Sequence, residues 1–237
     1  MVSKKKLNIS SSELNTIKPI TDNQKEVFAS YEKGQNLFLY GVAGTGKTFV
    51  ALYNALKDVL DPKSPRERVY IVRSLLPTRD IGFLPGDEED KSYLYQVPYQ
   101  NMVRFMFQRG SDAEFDRLYT DLRNQGTVDF LSTSFLRGIT IDNGVIIVDE
   151  CQNLNFHELD TIMTRVGQNT RIVFAGDIQQ TDLTKTNDRN GILDFVNIMQ
   201  QMKEVDCIEF DLGDIVRSGM LKSYLIEKIK MGLHYEQ

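Results

Sequence analysis

The 237-residue sequence predicts an α/β fold, a parallel sheet flanked by helices and carrying one helical insertion. Three observations carry that expectation. Short β-rich apolar runs alternate with longer helical patterns along most of the chain. One run, Asn36–Tyr40, opens into GVAGTGKT, a glycine-rich turn with helical sequence behind it. A second run, in GVIIVDECQN, ends in paired acids about a hundred residues later.

The strands expected in chain order are Asn36–Tyr40, Arg68–Val72, Thr127–Ser132, Val145–Val148, Arg171–Ala175 and Cys207–Asp211. Helical patterns cover Asp22–Lys33, Lys47–Leu60, Phe156–Arg165, Asp188–Met202 and Met220–Met231. The stretch DPKSPRER (Asp61–Arg68) is a helix-to-strand loop whose prolines stop the preceding helix. Between the second and third strands the text is too long for a simple crossover. GFLPGDEEDK begins with a Pro/Gly turn and acids, and helical sequence then continues to about Arg123, so residues 82–125 are expected to be a helical insertion. Residues 1–18 are expected to form an N-terminal tail, with "KKK" as a solvated run, and 19–237 a single domain.

Composition narrows the class. The chain is 41% hydrophobic and 26% charged, ordinary for a globular protein, and its net charge of −5 gives no overall basic field. Cys151 and Cys207 lack metal-ligand spacing and cannot make a disulfide framework, which fits a reducing interior. The basic start lacks a following apolar stretch, and no run of 18 apolar residues occurs. A cytoplasmic protein with no membrane partner is expected. His157 and His234 stand apart from each other and from other ligating residues.

The motif GVAGTGKT has the form G-x-x-x-x-G-K-S/T, a phosphate-binding loop. Its glycines let successive backbone N–H groups curl around an anion without a Cβ in the way. Lys47 supplies positive charge to the β- and γ-phosphates of a nucleotide, and Thr48 offers a hydroxyl to Mg²⁺. The helix beginning there turns its positive end to the same place. Gly41, Val42, Ala43, Gly44, Thr45, Gly46, Lys47 and Thr48 therefore form the expected ATP-binding set. Val145–Val148 bury a central strand and Asp149 emerges at its carboxyl end, where ligands of open α/β sheets bind. Asp149 joins Thr48 as the expected metal pair, and Glu150 is the candidate that orients and polarises water. In RIVFAGDIQQTDL another buried strand ends in Gly-Asp, and Gln179 either senses the γ-phosphate or is an amide in a polar turn.

The order of these motifs resembles the PhoH family, P-loop ATPases akin to superfamily 1 helicase motors. Beyond the loop itself, the residues carrying the resemblance are GFLPGD (Gly82–Asp87), FLRGITIDNGVIIVDECQN (Phe135–Asn153), GDIQQTDL (Gly176–Leu183) and DIVRS (Asp214–Ser218). The resemblance covers about Ile20 to Leu233. It implies a RecA-like P-loop NTPase core, with ATP bound between neighbouring subunits of a homo-oligomeric ring, a hexamer being one candidate. It also implies activity connected to RNA or single-stranded nucleic acid. PITDNQKEVF is similar to the helicase Q-motif, which gives Gln24 the adenine edge, with Thr21 capping its helix. By the same resemblance Arg217 is a candidate finger for the γ-phosphate, in cis or from a neighbour. Arg73 and Arg137 match family arginines, and surface ion pairing remains open for them.

Three departures bear on these expectations. VRSLLPTRDIGFLPGD replaces the family's usual Thr-Arg-Pro continuation after the second strand. Cys151 stands where the family usually has Ala after Asp-Glu. No ribonuclease-type domain is expected ahead of the core, which would make the chain a motor without a cutting domain. The stretch Lys91–Gly110 holds five aromatics and three basic residues. It can be read as stacking platforms for bases or, by its helical period, as a buried face. Two rival activities stay open: a nucleotide-gated assembly protein without nucleic acid, and a small-molecule kinase.

Overall fold

The computed structural model describes residues 9–73, 88–133, 135–178, 186–216 and 219–231. Six strands make one sheet: β1 (Asn36–Gly41), β2 (Arg68–Arg73), β3 (Val128–Leu131), β4 (Gly144–Asp149), β5 (Arg171–Gly176) and β6 (Val205–Phe210). They lie in the order β3-β2-β4-β5-β1-β6, every pairing parallel. The helices are α1 (Asp22–Glu32), α2 (Lys47–Val59), α3 (Glu88–Phe107), α4 (Asp112–Asn124), α5 (Phe156–Met163), α6 (Thr186–Gln201) and α7 (Gly219–Lys230).

Alternation along the strands explains why both faces are covered. Leu37 and Leu39 of β1, Val145 and Ile147 of β4 and Val173 of β5 pack with α1, α2, α3 and α4. Their neighbours Phe38, Ile146, Val148, Ile172 and Phe174 point to the opposite face, against α5 and α6. Successive strand residues face opposite sides of a sheet, so continuous apolar runs demand helices on both. Phe38, Phe174 and Phe195 of α6 form the aromatic centre of the second face, with ring centroids 5.0–6.3 Å apart.

The register aligns the carboxyl ends of the central strands. Tyr40 lies beside Gly176, Gly41 beside Phe210, Asp149 beside Ala175, and Arg73 beside Asp149. The chain leaves β1 toward one edge and crosses from β5 to β6 at the other, so this rim contains a topological switch point.

The expected insertion is two helices, α3 and α4, hinged at Gly110 and Ser111. Ser111 caps α4 by accepting a hydrogen bond from the Glu114 N–H at 3.3 Å. Thr21 likewise caps α1, accepting from the Gln24 N–H at 3.3 Å. GFLPGD lies outside the described residues. Strand β6 sits two residues earlier than its sequence pattern indicated at the start, because Val205 and Phe210 are both buried.

Residues 9–18 differ from the tail expected of them. Ile9 is buried, Leu14 and Ile17 pack on the first core, and the segment is pinned at three points. The Asn15 N–H donates to the Met106 carbonyl at 2.8 Å, and its side-chain amide to the Phe105 carbonyl at 2.9 Å. The Ile17 N–H donates to the Tyr53 hydroxyl oxygen at 3.2 Å. It is a strap across α2 and α3, held by isolated apolar side chains too sparse to make a periodic signal.

Candidate functional site

The turn from β1 into α2 is built on three glycines with positive φ: Gly41 (113°), Gly44 (78°) and Gly46 (85°). Only glycine adopts such angles at little cost. At Gly41 a second constraint operates, since a Cβ there would lie 2.1 Å from the Phe210 carbonyl oxygen of β6. The loop thus lies closer to β6 than any other residue would allow.

Lys47 is buried, and its ammonium donates to the carbonyls of Gly41 (2.7 Å) and Val42 (2.8 Å). Burial pushes its pKa down, and the carboxylates of Asp177, Glu150 and Asp149 pull it back up. Among the described residues its hydrogen bonds go to loop carbonyls and the Thr45 hydroxyl, and a cation held so in a concavity of peptide groups is poised to exchange them for an anion.

Thr48 and Asp149 meet across the sheet. The Thr48 hydroxyl donates to Asp149 Oδ1 at 2.7 Å. Because its proton goes to the carboxylate, the hydroxyl's lone pairs stay free for a cation. The two groups supply oxygen donors alone, which suits Mg²⁺ completed by phosphate and water oxygens. Among the described residues no group of three or more His, Cys, Asp or Glu side chains forms a metal cage.

Asp149 is buried, and its pKa is raised by burial and lowered by hydrogen bonds from Tyr99 and Thr48. The Tyr99 hydroxyl, from α3, donates to Asp149 Oδ2 at 2.6 Å. Burial and Asp149 together push the Tyr99 phenol far up, so it stays a proton donor.

Glu150 follows in a left-handed conformation, φ 52° and ψ 41°. Such a backbone is uncommon for a residue with a Cβ and recurs at functional sites. The Gln152 amide donates to Glu150 Oε2 at 2.6 Å and accepts from the Asp177 N–H at 3.1 Å. It therefore ties the acid at the end of β4 to the end of β5. A Cβ at Gly176 would lie 2.5 Å from Gln152 Oε1 and 2.7 Å from Cys151 Sγ, so a side chain there would displace the Gln152 amide from this position.

These groups open on one cavity of about 1020 Å³. The phosphate-loop residues Gly44, Gly46, Lys47 and Thr48 line it together with Asp149 and Glu150. Ile17 from the strap, Ile20 just after it, Phe49 from α2, and Met102 and Phe105 from α3 give it an apolar end. Gln24 also lines it, but its amide is engaged: it donates to the Thr45 carbonyl at 3.0 Å and accepts from the Ile20 N–H at 3.0 Å. These two bonds leave the amide a second N–H and a second oxygen lone pair, the pair of groups that an adenine edge would use.

Arg73 lines the cavity beside Asp149, whereas Arg137 is exposed in the turn after β3 and is not among the lining residues. Gln179 and Arg217 lie outside the described residues. Val216 lines the cavity, and its N–H donates to the Gly44 carbonyl at 3.1 Å. In the aromatic stretch, Tyr99, Val103 and Met106 are buried, which favours the packing reading. Its described cations are paired, Arg104 with Asp112 and Asp116 and Arg109 with Glu13. Tyr99 and Gln152 are the site residues that sequence reasoning did not single out. A Tyr at a packing period carries no mark of its hydrogen bond, but a Gln two residues beyond the Asp-Glu pair was a usable signal.

A family model described as PhoH-like protein matches residues 16–228. Protein PhoH2 of Bacillus subtilis (strain 168) is 34% identical over 159 residues, 67% of this chain and 35% of that relative. Protein PhoH of Escherichia coli (strain K12) is 30% identical over 203 residues, 85% of this chain and 55% of that relative. The chain thus spans between about a third and just over half of these relatives' lengths. Among solved structures, the large terminase of a thermophilic bacteriophage superposes with a TM-score of 0.50 at 10% identity. The match covers 93% of this chain and 51% of the terminase chain. The fold is that of a RecA-like P-loop NTPase.

Proposed function

This chain belongs to the PhoH family, and from that premise we propose that it is an Mg²⁺-dependent ATPase whose turnover drives a helicase-like motor on RNA or single-stranded nucleic acid. The observation that carries the ATPase reading is the 2.7 Å hydrogen bond between Thr48 and Asp149 beside Lys47 and the glycine cradle. It places an oxygen pair suited to a divalent cation beside the lysine and the glycine turn, at the carboxyl ends of the strands where ligands of open α/β sheets bind.

In this reading the backbone N–H groups from Gly41 to Thr48 hold the ATP phosphates, and Lys47 turns from its loop carbonyls to the β- and γ-phosphates. Thr48 and Asp149 would hold Mg²⁺, which supplies charge neutralisation at the phosphoryl oxygens. Glu150, held by Gln152, orients the attacking water and accepts its proton. Gln24 serves the adenine end and Gln179 senses the γ-phosphate. Arg217, one residue beyond Val216, is the finger that neutralises transition-state charge, from this subunit or a neighbour in a ring. Residues 19–237 act as a single motor domain.

The test is direct. Lys47→Ala should abolish binding of a fluorescent ATP analogue. Glu150→Gln should keep that binding and lose phosphate release by roughly 10²- to 10⁴-fold, the range for a general base. Wild-type turnover in Glu150→Gln would remove Glu150 from its role. Single-stranded RNA should raise the wild-type rate at low salt, with the stimulation fading as salt rises.

A second reading is favoured by the ion-paired arginines of α3 and the turn after it, and by the net charge of −5: a nucleotide-gated assembly protein with no polymer. Turnover indifferent to RNA and to single-stranded DNA at every salt concentration would select it.

A further inference from the structure

The inserted helix α3 reaches the metal pair through one atom. Tyr99 is 2% exposed, and its ring meets Phe130 of β3 edge-on, with centroids 5.5 Å apart. Its hydroxyl donates to Asp149 Oδ2 at 2.6 Å, while Thr48 donates to Oδ1 at 2.7 Å. Each carboxylate oxygen thus has one fixed donor, from a different helix, and the plane of the carboxylate is determined by both.

That geometry has a consequence for Thr48. A carboxylate free to rotate would present either oxygen, or neither, to the threonine. The threonine hydroxyl would then be free to turn its proton toward the place a cation must occupy. With Oδ2 anchored to Tyr99, Oδ1 stays facing Thr48, the proton stays on the Asp149 side, and the lone pairs stay outward. Outer partners of this kind orient metal ligands in many sites.

We propose that Tyr99 is a positioning residue for the divalent cation, acting through Asp149, so that the insertion belongs to the cation-binding machinery as well as to the core. The proposal rests on the nucleotide-binding reading above. It assigns α3 a role that its packing pattern alone would not.

The experiment measures binding of a fluorescent ADP analogue to the whole chain, titrated with Mg²⁺ and, separately, in EDTA. Tyr99→Phe removes one oxygen and keeps the ring against Phe130. It should raise the Mg²⁺ concentration for half-maximal enhancement about tenfold, at the low end for loss of such a partner. Affinity in EDTA should stay at the wild-type value. Tyr31→Phe is the control, since it removes another buried tyrosine-to-aspartate hydrogen bond, that to Asp58 at 3.0 Å, away from the cavity. It should leave the Mg²⁺ midpoint where it is.

A purely structural role predicts a lower melting temperature in Tyr99→Phe with an unchanged Mg²⁺ midpoint, and that result overturns the proposal. A second background guards against a variant that fails to fold. In Asp149→Asn the buried charge is gone, and adding Tyr99→Phe should cause no further change in the Mg²⁺ midpoint. A further loss there would mean that Tyr99 acts independently of Asp149, again overturning the proposal. If wild-type protein binds no nucleotide under any of these conditions, it is the parent reading that fails. If it binds with a Mg²⁺ midpoint that Tyr99→Phe does not move, the role of Tyr99 alone is lost.

Discussion

The smallest unit of function is the residue Glu150, and its neighbours explain its conformation. A left-handed backbone at a residue with a Cβ costs about 1–3 kcal/mol and persists only where its surroundings determine it. Two features do so here: Gln152 grips the Glu150 carboxylate at 2.6 Å, and Gly176 leaves room for that grip. Gln152→Leu keeps side-chain bulk but leaves Glu150 unheld and removes the acceptor of the Asp177 N–H. The expected outcome is a fall in kcat of roughly 10- to 100-fold, the scale of a misplaced reacting group, with unchanged affinity for an ATP analogue. Steady-state phosphate release and equilibrium binding on the same preparation separate the two. A matching loss of affinity would mean that Gln152 shapes the cradle and not the base.

Among the elements, the strap of residues 9–18 is the one whose attachment can be tuned. The Arg109 guanidinium donates to Glu13 at 2.5 Å and, with the Ser10 N–H at 3.0 Å, lowers the Glu13 pKa below the usual carboxylate range. A depressed carboxylate contributes its stabilisation above its unfolded pKa, about 4.3, and loses it as pH falls through the lower folded value. The pair is about a third exposed, so its worth is about 0.5–1 kcal/mol. Glu13→Ala should therefore speed hydrogen exchange at Asn15 and Ile17 about two- to fivefold near neutral pH, and leave β1 and β4 amides unaffected. In wild-type protein the same acceleration, corrected for intrinsic exchange, should appear only as pH falls below the ordinary glutamate pKa of about 4.3 and on through the lower folded value. Acceleration spread over the sheet would contradict a local attachment. Elements of this kind mark where the sequence stops being legible. The strands and long helices follow from apolar runs and periods, and Lys47, Thr48, Asp149 and Glu150 follow from spacing. The strap does not, because Leu14 and Ile17 make no period. Nor does the Tyr99 bond, because a buried tyrosine reads as packing until its hydroxyl's partner is located across 50 residues.

At the scale of the whole molecule, strand order decides what the sequence left open. Strand β5 lies between β1 and β4, yet α2 carries Thr48 across to Asp149, so the cradle and the acids close one cavity from separate parts of the chain. The strap, α2, α3, β4 and β5 all contribute walls, so a ligand there bridges elements drawn from separate parts of the chain. The carboxylates of Asp177, Glu150 and Asp149, from the ends of two strands, all act on Lys47 and hold its pKa up against burial. Any ligand that binds the folded chain alone stabilises it by mass action, by about 2.7 kcal/mol at one hundred times its dissociation constant. For a chain of this length each kcal/mol moves the melting temperature by about 2–4 °C. A non-hydrolysable ATP analogue with Mg²⁺ at that excess should therefore raise the melting temperature by about 5–10 °C, and by less at the same analogue concentration in EDTA. Lys47→Ala should show no rise at the same concentrations. The rise should appear in one cooperative transition, because the walls belong to one core. A second, unshifted transition would mean that the insertion unfolds apart from the sheet and that α3 does not share in the site.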